Sequence, residues 1–134
     1  YPLAEHALMG LNGVVRALPR FFEVANLALR HVRTARPDAV VLIDCPGFHL
    51  PFARRLRSYG VPTYFFVPPQ IWGWKQWRVR TVRKCFAGVL TALPFEDQWY
   101  RERHVATHYV GHPYFDELAR QRLDPAFLAA ERAK

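Results

Sequence analysis

Methionine occurs once in this sequence and cysteine only twice, at Cys45 and Cys85, with no C-x-x-C spacing. Two such cysteines read as buried free thiols in a reducing compartment, so the chain is expected to be cytoplasmic. Acidic side chains are scarce: 11 Asp and Glu face 19 Lys and Arg, a net charge of +8. That balance asks for an anionic partner, whether nucleic acid, a phosphorylated substrate or an acidic membrane surface, and does not choose among them. Long apolar runs are missing as well. The longest charge-free stretch, Ser58 to Trp74, is cut by Pro62, Pro68 and Pro69, whereas a spanning helix needs about 20 mostly apolar residues. Residues 1–36 show no signal-peptide pattern. There is no G-x-S-x-G, no Walker A loop and no G-x-G-x-x-G, and no repeat or low-complexity segment. The sequence begins Tyr1-Pro2-Leu3 without an initiator Met, as a fragment or processed form would.

What is present is a sizeable core. A hydrophobic content of 51% across 134 residues excludes general disorder and suits one domain. Its organising stretch is AVVLIDCPGF, residues 39–48. The β-branched run reads as a buried strand ending at Asp44, and Pro46-Gly47 turns the chain out of the sheet. A helix over about 50–58 then places Phe52, Ala53 and Leu56 inward and Arg54, Arg55 and Arg57 outward, closed by Gly60. Further strands are expected at 63–67, 88–92 and 107–110. Helices are expected at about 74–86, at 96–103, and from 114 to the end with a break at Asp124-Pro125.

Ahead of the first strand, Leu8, Leu11, Val15, Leu18 and Phe22 recur at helical spacing. Pro19 suits the first turn of a second helix, running to about Arg36, better than the interior of one long helix. Its polar stripe is narrow, so the wide apolar face is either buried on two sides or docks into a lipid interface. Strands alternating with helices argue for a parallel α/β sheet flanked by helices.

The tails of the four strands, DCPGF, PPQIWGW, LPF and GHP, emerge on one edge of such a sheet, where ligands bind in open α/β folds. That gathers Asp44, His49, Gln70, Trp72, Trp74, Glu96 and His112 on one rim. Bland alternatives stand beside each: Asp44 as a helix cap, the tryptophans as packing, His112 as a partner for loop carbonyls. His104, His108 and His112 recur every four residues but share no helical face, so no metal site is expected. The basic segment 75–84 with its tryptophans fits single-stranded nucleic acid only in general terms, and no recognition motif accompanies it.

Taken together and in order, VLIDCPGFH, FFVPPQIWGWKQWRVRTV, LTALPFE and YVGHP resemble lipid-A-disaccharide synthase. The resemblance covers nearly the whole chain. It implies a Rossmann-like sheet within a GT-B type glycosyltransferase, of which residues 1–134 would be part of the N-terminal, acceptor-side domain, the donor-binding domain being absent. The activity implied is inverting transfer from UDP-2,3-diacylglucosamine to 2,3-diacylglucosamine 1-phosphate, giving a β-1,6-linked disaccharide and UDP. No cofactor, metal or nucleic acid is implied, and the isolated piece would be inactive. Asp44 matches the family's essential aspartate, as base or positioner. The W-G-W and G-H-P blocks match by position, assigning His49, Gln70, Trp72, Trp74 and His112 to substrate binding. His49 stands where that family usually has Asn, and Pro68 where it often has Ser. The resemblance also favours membrane docking by region 7–36, through Leu11, Val14, Val15, Arg16, Leu18, Arg20, Phe21 and Phe22, on the anionic inner membrane. The alternative is a non-catalytic basic α/β module that binds anionic lipid or nucleic acid.

Overall fold

The computed structural model describes residues 11–121 and 125–132; the side chains of 11–18, 125, 126, 128 and 129 lie outside that description. In chain order come α1 (Leu11–Ala35), β1 (Val40–Ile43), α2 (Pro46–Leu56), β2 (Thr63–Phe66), α3 (Val79–Cys85), β3 (Gly88–Thr91), α4 (Pro94–Arg101), β4 (Thr107–Tyr109), α5 (Pro113–Arg120) and α6 (Pro125–Arg132). All four strands run parallel in the order β1-β2-β3-β4, as the alternation of strands and helices predicts.

That order decides where the helices go. Right-handed crossovers that always step the same way put their helices on the same face of the sheet. The facing row of side chains, Leu42, Phe65, Val89 and Thr107, is buried accordingly. Against it pack Ala25, Leu29 and Val32 of α1, Leu50, Ala53 and Leu56 of α2, Val82 of α3 and Tyr100 of α4. The rings of Phe65 and Phe86 stack with centroids 4.9 Å apart. On the other face Val41 and Ile43 remain 51% and 57% exposed, and the start of α5, with Phe115, leans over a cavity floored by Val41, Phe66 and Leu90. No helix among the described residues is long and apolar enough to cross a membrane.

Several elements depart from expectation. Pro19 does not separate two helices; it lies inside α1. One proline removes a single N–H and costs roughly 3 kcal/mol, and the helix beyond it secures three buried residues, Ala25, Leu29 and Val32, so the chain continues through it. Helix α2 starts at Pro46, not near residue 50. Proline at the first helical position has its φ already set and lacks only an N–H that would have had no partner. The same rule moves the start of α4 forward to Pro94. The basic segment after Trp74 is a 3-10 turn, Gln76–Arg78, before α3, because Lys75 adopts φ 53° ahead of it. The expected buried thiols are also corrected: Cys45 is exposed, on the turn that opens α2, and Cys85 is half-buried. The C-terminal helix breaks at Gln121, whose backbone is extended, while 122–124 lie outside the described residues.

Tyr100, fully buried on α4, donates its hydroxyl to the Pro69 carbonyl oxygen at 2.8 Å and so ties α4 to the segment following β2. Tyr100→Phe deletes that bond while keeping the ring. A stability loss of about 1 kcal/mol is expected, read as a lowered urea midpoint with an unchanged slope.

Candidate functional site at the strand tips

Each strand ends at the same edge, and the turns there are unusual. Asp44 (φ 50°), Cys45 (φ 46°) and Val67 (φ 50°) all occupy the left-handed region that non-glycine residues rarely adopt. Such strain persists only where neighbouring bonds over-determine it, and it gathers at functional sites. Here the Asp44 N–H donates to Phe66 O (3.1 Å) and the Val67 N–H to Leu90 O (3.2 Å), carrying the parallel ladder one residue past each strand. His49 Nδ1 donates to the Asp44 carbonyl oxygen at 2.6 Å, which requires its proton on Nδ1.

Asp44 does not cap α2. The residue in the cap position is Cys45, and no side chain makes a capping bond there. The Cys45 carbonyl instead accepts from the N–H groups of Phe48 and His49. The Asp44 side chain is thereby left exposed at the tip of β1.

Beside this turn opens an apolar cavity of about 350 Å³ between α1 and the start of α2, lined by Phe21, Phe22, Phe48, Pro51 and Phe52, with Cys45 and Arg55 at its margin. Phe48 stacks on Phe52 (5.6 Å) and meets Phe21 (5.7 Å). The volume lies within the roughly 300–1,000 Å³ of ligand pockets. Phe21 and Phe22 belong to the region expected to dock on membranes, and Phe22 is 60% exposed. Arg20 is exposed nearby in sequence. Leu11, Val14, Val15, Arg16 and Leu18 continue the helix backbone, but their side chains lie outside the described residues. The cavity itself escaped sequence reasoning because its aromatic pairs come from separate elements; the repeated Phe-Phe and Phe-x-x-x-Phe spacings were its only trace.

At the other end of the edge a second cluster forms. Trp72 Nε1 donates to Glu96 Oε1 at 3.1 Å, and Trp72 meets Phe95 edge-on at 5.0 Å. His112 caps α5, its Nδ1 accepting from the Tyr114 N–H. Trp72 therefore reaches Glu96, which follows β3, whereas Asp44 and His49 pair at the tip of β1, two strands away. Gln70 is exposed and stands in the turn where the Gly73 N–H donates to its carbonyl. Trp74 is 62% exposed under the Lys75 ammonium, 4.2 Å from its ring centre. Neither joins either cluster. His104 lies in the turn after α4, His108 in β4 and His112 before α5, so they share no helical face.

Glu96, expected at the rim as a favourable charge at a helix start, is only 3% exposed. Burial raises its pKa above the ordinary 4.5, opposed by the Trp72 indole, the Leu93 backbone and His112. At Asp97 burial pushes the same way, but hydrogen bonds from Arg101 and Thr107, with the Arg101 and His108 charges, outweigh it and lower the pKa. The signal available in the sequence was spacing: Glu96 and Tyr100 stand four residues apart, on one side of α4.

Because the folded Glu96 holds its proton more tightly than the unfolded one, its contribution is complete below pH 4.5 and declines as pH rises through the raised value. Melting temperatures from about pH 4 to about pH 8 should therefore fall more steeply for the wild type than for Glu96→Gln; parallel curves would show that Glu96 does not titrate with folding.

The family model for lipid-A-disaccharide synthetase matches residues 1–129. The chain is 41% identical over 121 residues to the lipid-A-disaccharide synthase of Alkalilimnicola ehrlichii, covering 90% of this chain and 32% of that protein. It is 38% identical over 118 residues to the lipid-A-disaccharide synthase of Alcanivorax borkumensis (88% and 31%). Against that of Azotobacter vinelandii it is 37% identical over 130 residues (97% and 34%). The chain thus spans about a third of the length of these curated relatives. With its strand tips, Asp44 turn and parallel sheet in place, this chain belongs to the lipid-A-disaccharide synthetase family.

Proposed function

We propose that the full-length protein is an inverting hexosyltransferase of the GT-B type, joining UDP-2,3-diacylglucosamine to 2,3-diacylglucosamine 1-phosphate through a β-1,6 bond. Residues 1–134 supply part of its N-terminal, acceptor-side domain. The observation that carries the reading is the Asp44 turn: a carboxylate exposed at the tip of a parallel strand, on a strained backbone, beside an apolar cavity. In this reading the acceptor's 6-hydroxyl lies against Asp44, which takes its proton as the oxygen attacks the anomeric carbon. The new C–O bond forms on one face of the sugar while the bond to the diphosphate breaks on the other, so configuration inverts and UDP leaves with the electron pair.

The same reading places an acyl chain of the acceptor in the cavity formed by Phe21, Phe48, Pro51 and Phe52. Each methylene buried there contributes about 0.8 kcal/mol. Trp72, braced by Glu96, and His112 shape the far side of the sugar pocket; His49 holds the Asp44 turn, and Gln70 and Trp74 line the loop between. Helix α1 rests on the inner membrane with Phe22 in the lipid and Arg16 and Arg20 at the phosphates. Membership of a synthase family favours this transferase over a non-catalytic basic module.

Two measurements test it. With both lipids in mixed micelles the full-length protein should release UDP, and Asp44→Asn should lower turnover by a factor of about 10² or more; a folded Asp44→Asn that turns over normally removes Asp44 from the reaction. Replacing Phe21 and Phe22 by Ser should reduce co-sedimentation with anionic vesicles, and unchanged sedimentation of the folded variant would count against docking by α1.

A further inference from the structure

A second groove lies one helix further along the same layer. Arg54 of α2, Arg57 of the following 3-10 turn, and Arg80 and Lys84 of α3 line a cleft of about 410 Å³ with Trp77 and Thr81. Four cations share this space and no carboxylate borders it. The Arg101–Asp97 and Arg103–Glu102 ion pairs involve none of the residues that line the cleft. Like charges crowded together repel unless an anion sits among them. Arg54 donates to the hydroxyl of buried Thr81 at 2.8 Å, which leaves that hydroxyl its own proton for a further acceptor.

Helical geometry explains the grouping. Positions 54 and 57 fall on one side of α2 and position 55 on the other. Arg54 and Arg57 therefore face α3, while Arg55 turns to α1, donating to Asn26 Oδ1 at 2.6 Å beside the apolar cavity. Phe22 shares the lining of the apolar cavity with Arg55, and Trp77 lines the cationic cleft itself; both aromatic rings are about three-fifths exposed, 60% for Phe22 and 61% for Trp77. A small phosphorylated solute needs the cations but not the flanking rings. A bilayer interface needs both: phosphates for the cations, and the headgroup and upper acyl layer for Trp and Phe.

We infer that the α2–α3 cleft binds phosphodiester headgroups of an anionic bilayer and, with Phe22, fixes which face of the protein meets the membrane. The inference rests on the reading above, in which the full-length protein works on membrane lipids, and it adds a headgroup site distinct from the Asp44 rim.

The test is co-sedimentation of the full-length protein with phosphatidylcholine vesicles that contain or lack phosphatidylglycerol. The variant combines Arg57→Gln, Arg80→Gln and Lys84→Gln, exposed residues that make no side-chain hydrogen bond among the described residues. Wild type should bind phosphatidylglycerol vesicles more tightly, by an increment that fades with salt. The variant should lose most of that increment, on the order of a hundredfold if each charge contributes about fivefold. Its UDP release in detergent micelles should stay within about twofold of wild type, which also reports a correct fold. Equal binding of wild type and variant to phosphatidylglycerol vesicles overturns the inference. So does a variant that loses binding to a single-stranded oligonucleotide while its vesicle binding is unchanged, which would make the cleft a nucleic-acid site. If neither protein releases UDP while the vesicle difference persists, the cleft is supported and the transferase reading is the one that fails.

Discussion

Leu42, Phe65, Val89 and Thr107 stand side by side across the four strands, one from each, and the helical layer is built on that row. Their side chains face one way because the register is set residue for residue along the parallel ladder; a slip by one position would turn every one of them to the opposite face. With the row fixed, α1 to α4 can bury their apolar sides on it, and the strand tips are brought level at one edge. Asp44, Trp72, Glu96 and His112 all follow strand ends, and the common edge brings them to one side of the sheet.

The edge is held by bonds that reach beyond the regular elements. Asp44 and Val67 each keep a ladder hydrogen bond after their strand has ended, which forces both into left-handed backbone geometry. His49 secures the first of these turns through the Asp44 carbonyl. On the far side Tyr100 and Glu96, one turn apart on α4, reach Pro69 and the Trp72 indole, so a buried helix braces an otherwise irregular loop. Desolvation raises the pKa of both groups. Arg101 and Thr107, both donating to Asp97, pin the outer side of α4 to β4.

Much of this was legible in the residues. Short β-branched and aromatic runs, each stopped by proline or glycine, give the parallel α/β class, and the four strand tails point to the shared edge. What could not be read was whatever depends on two elements at once. Pro19 looks like a boundary locally, yet burial of Ala25, Leu29 and Val32 draws the helix through it. Glu96 looks like a solvated helix start until Trp72, twenty-four positions earlier, is found against it. Cys45 looks like a core thiol, but the turn that launches α2 at Pro46 turns it outward. The aromatic cavity joins α1 to α2 and the cationic cleft joins α2 to α3, so neither leaves a periodic signal in a single segment. Of the expected membrane-facing residues, only Arg20, Phe21 and Phe22 have described side chains.

The strand order has a further bearing, on how such a domain comes into being. Because β1, β2, β3 and β4 are neighbours in space in the order in which they occur along the chain, none of these four strands has to wait for a distant partner among the other three. As the ribosome extends the chain, each new strand meets an edge already formed, and the helix just made folds back over it in the same right-handed sense. Loop-closure entropy is then spent in short steps instead of one long one, which keeps contact order low for a parallel sheet. At each of these steps the next strand to emerge is the one that covers the edge left by the strand before it.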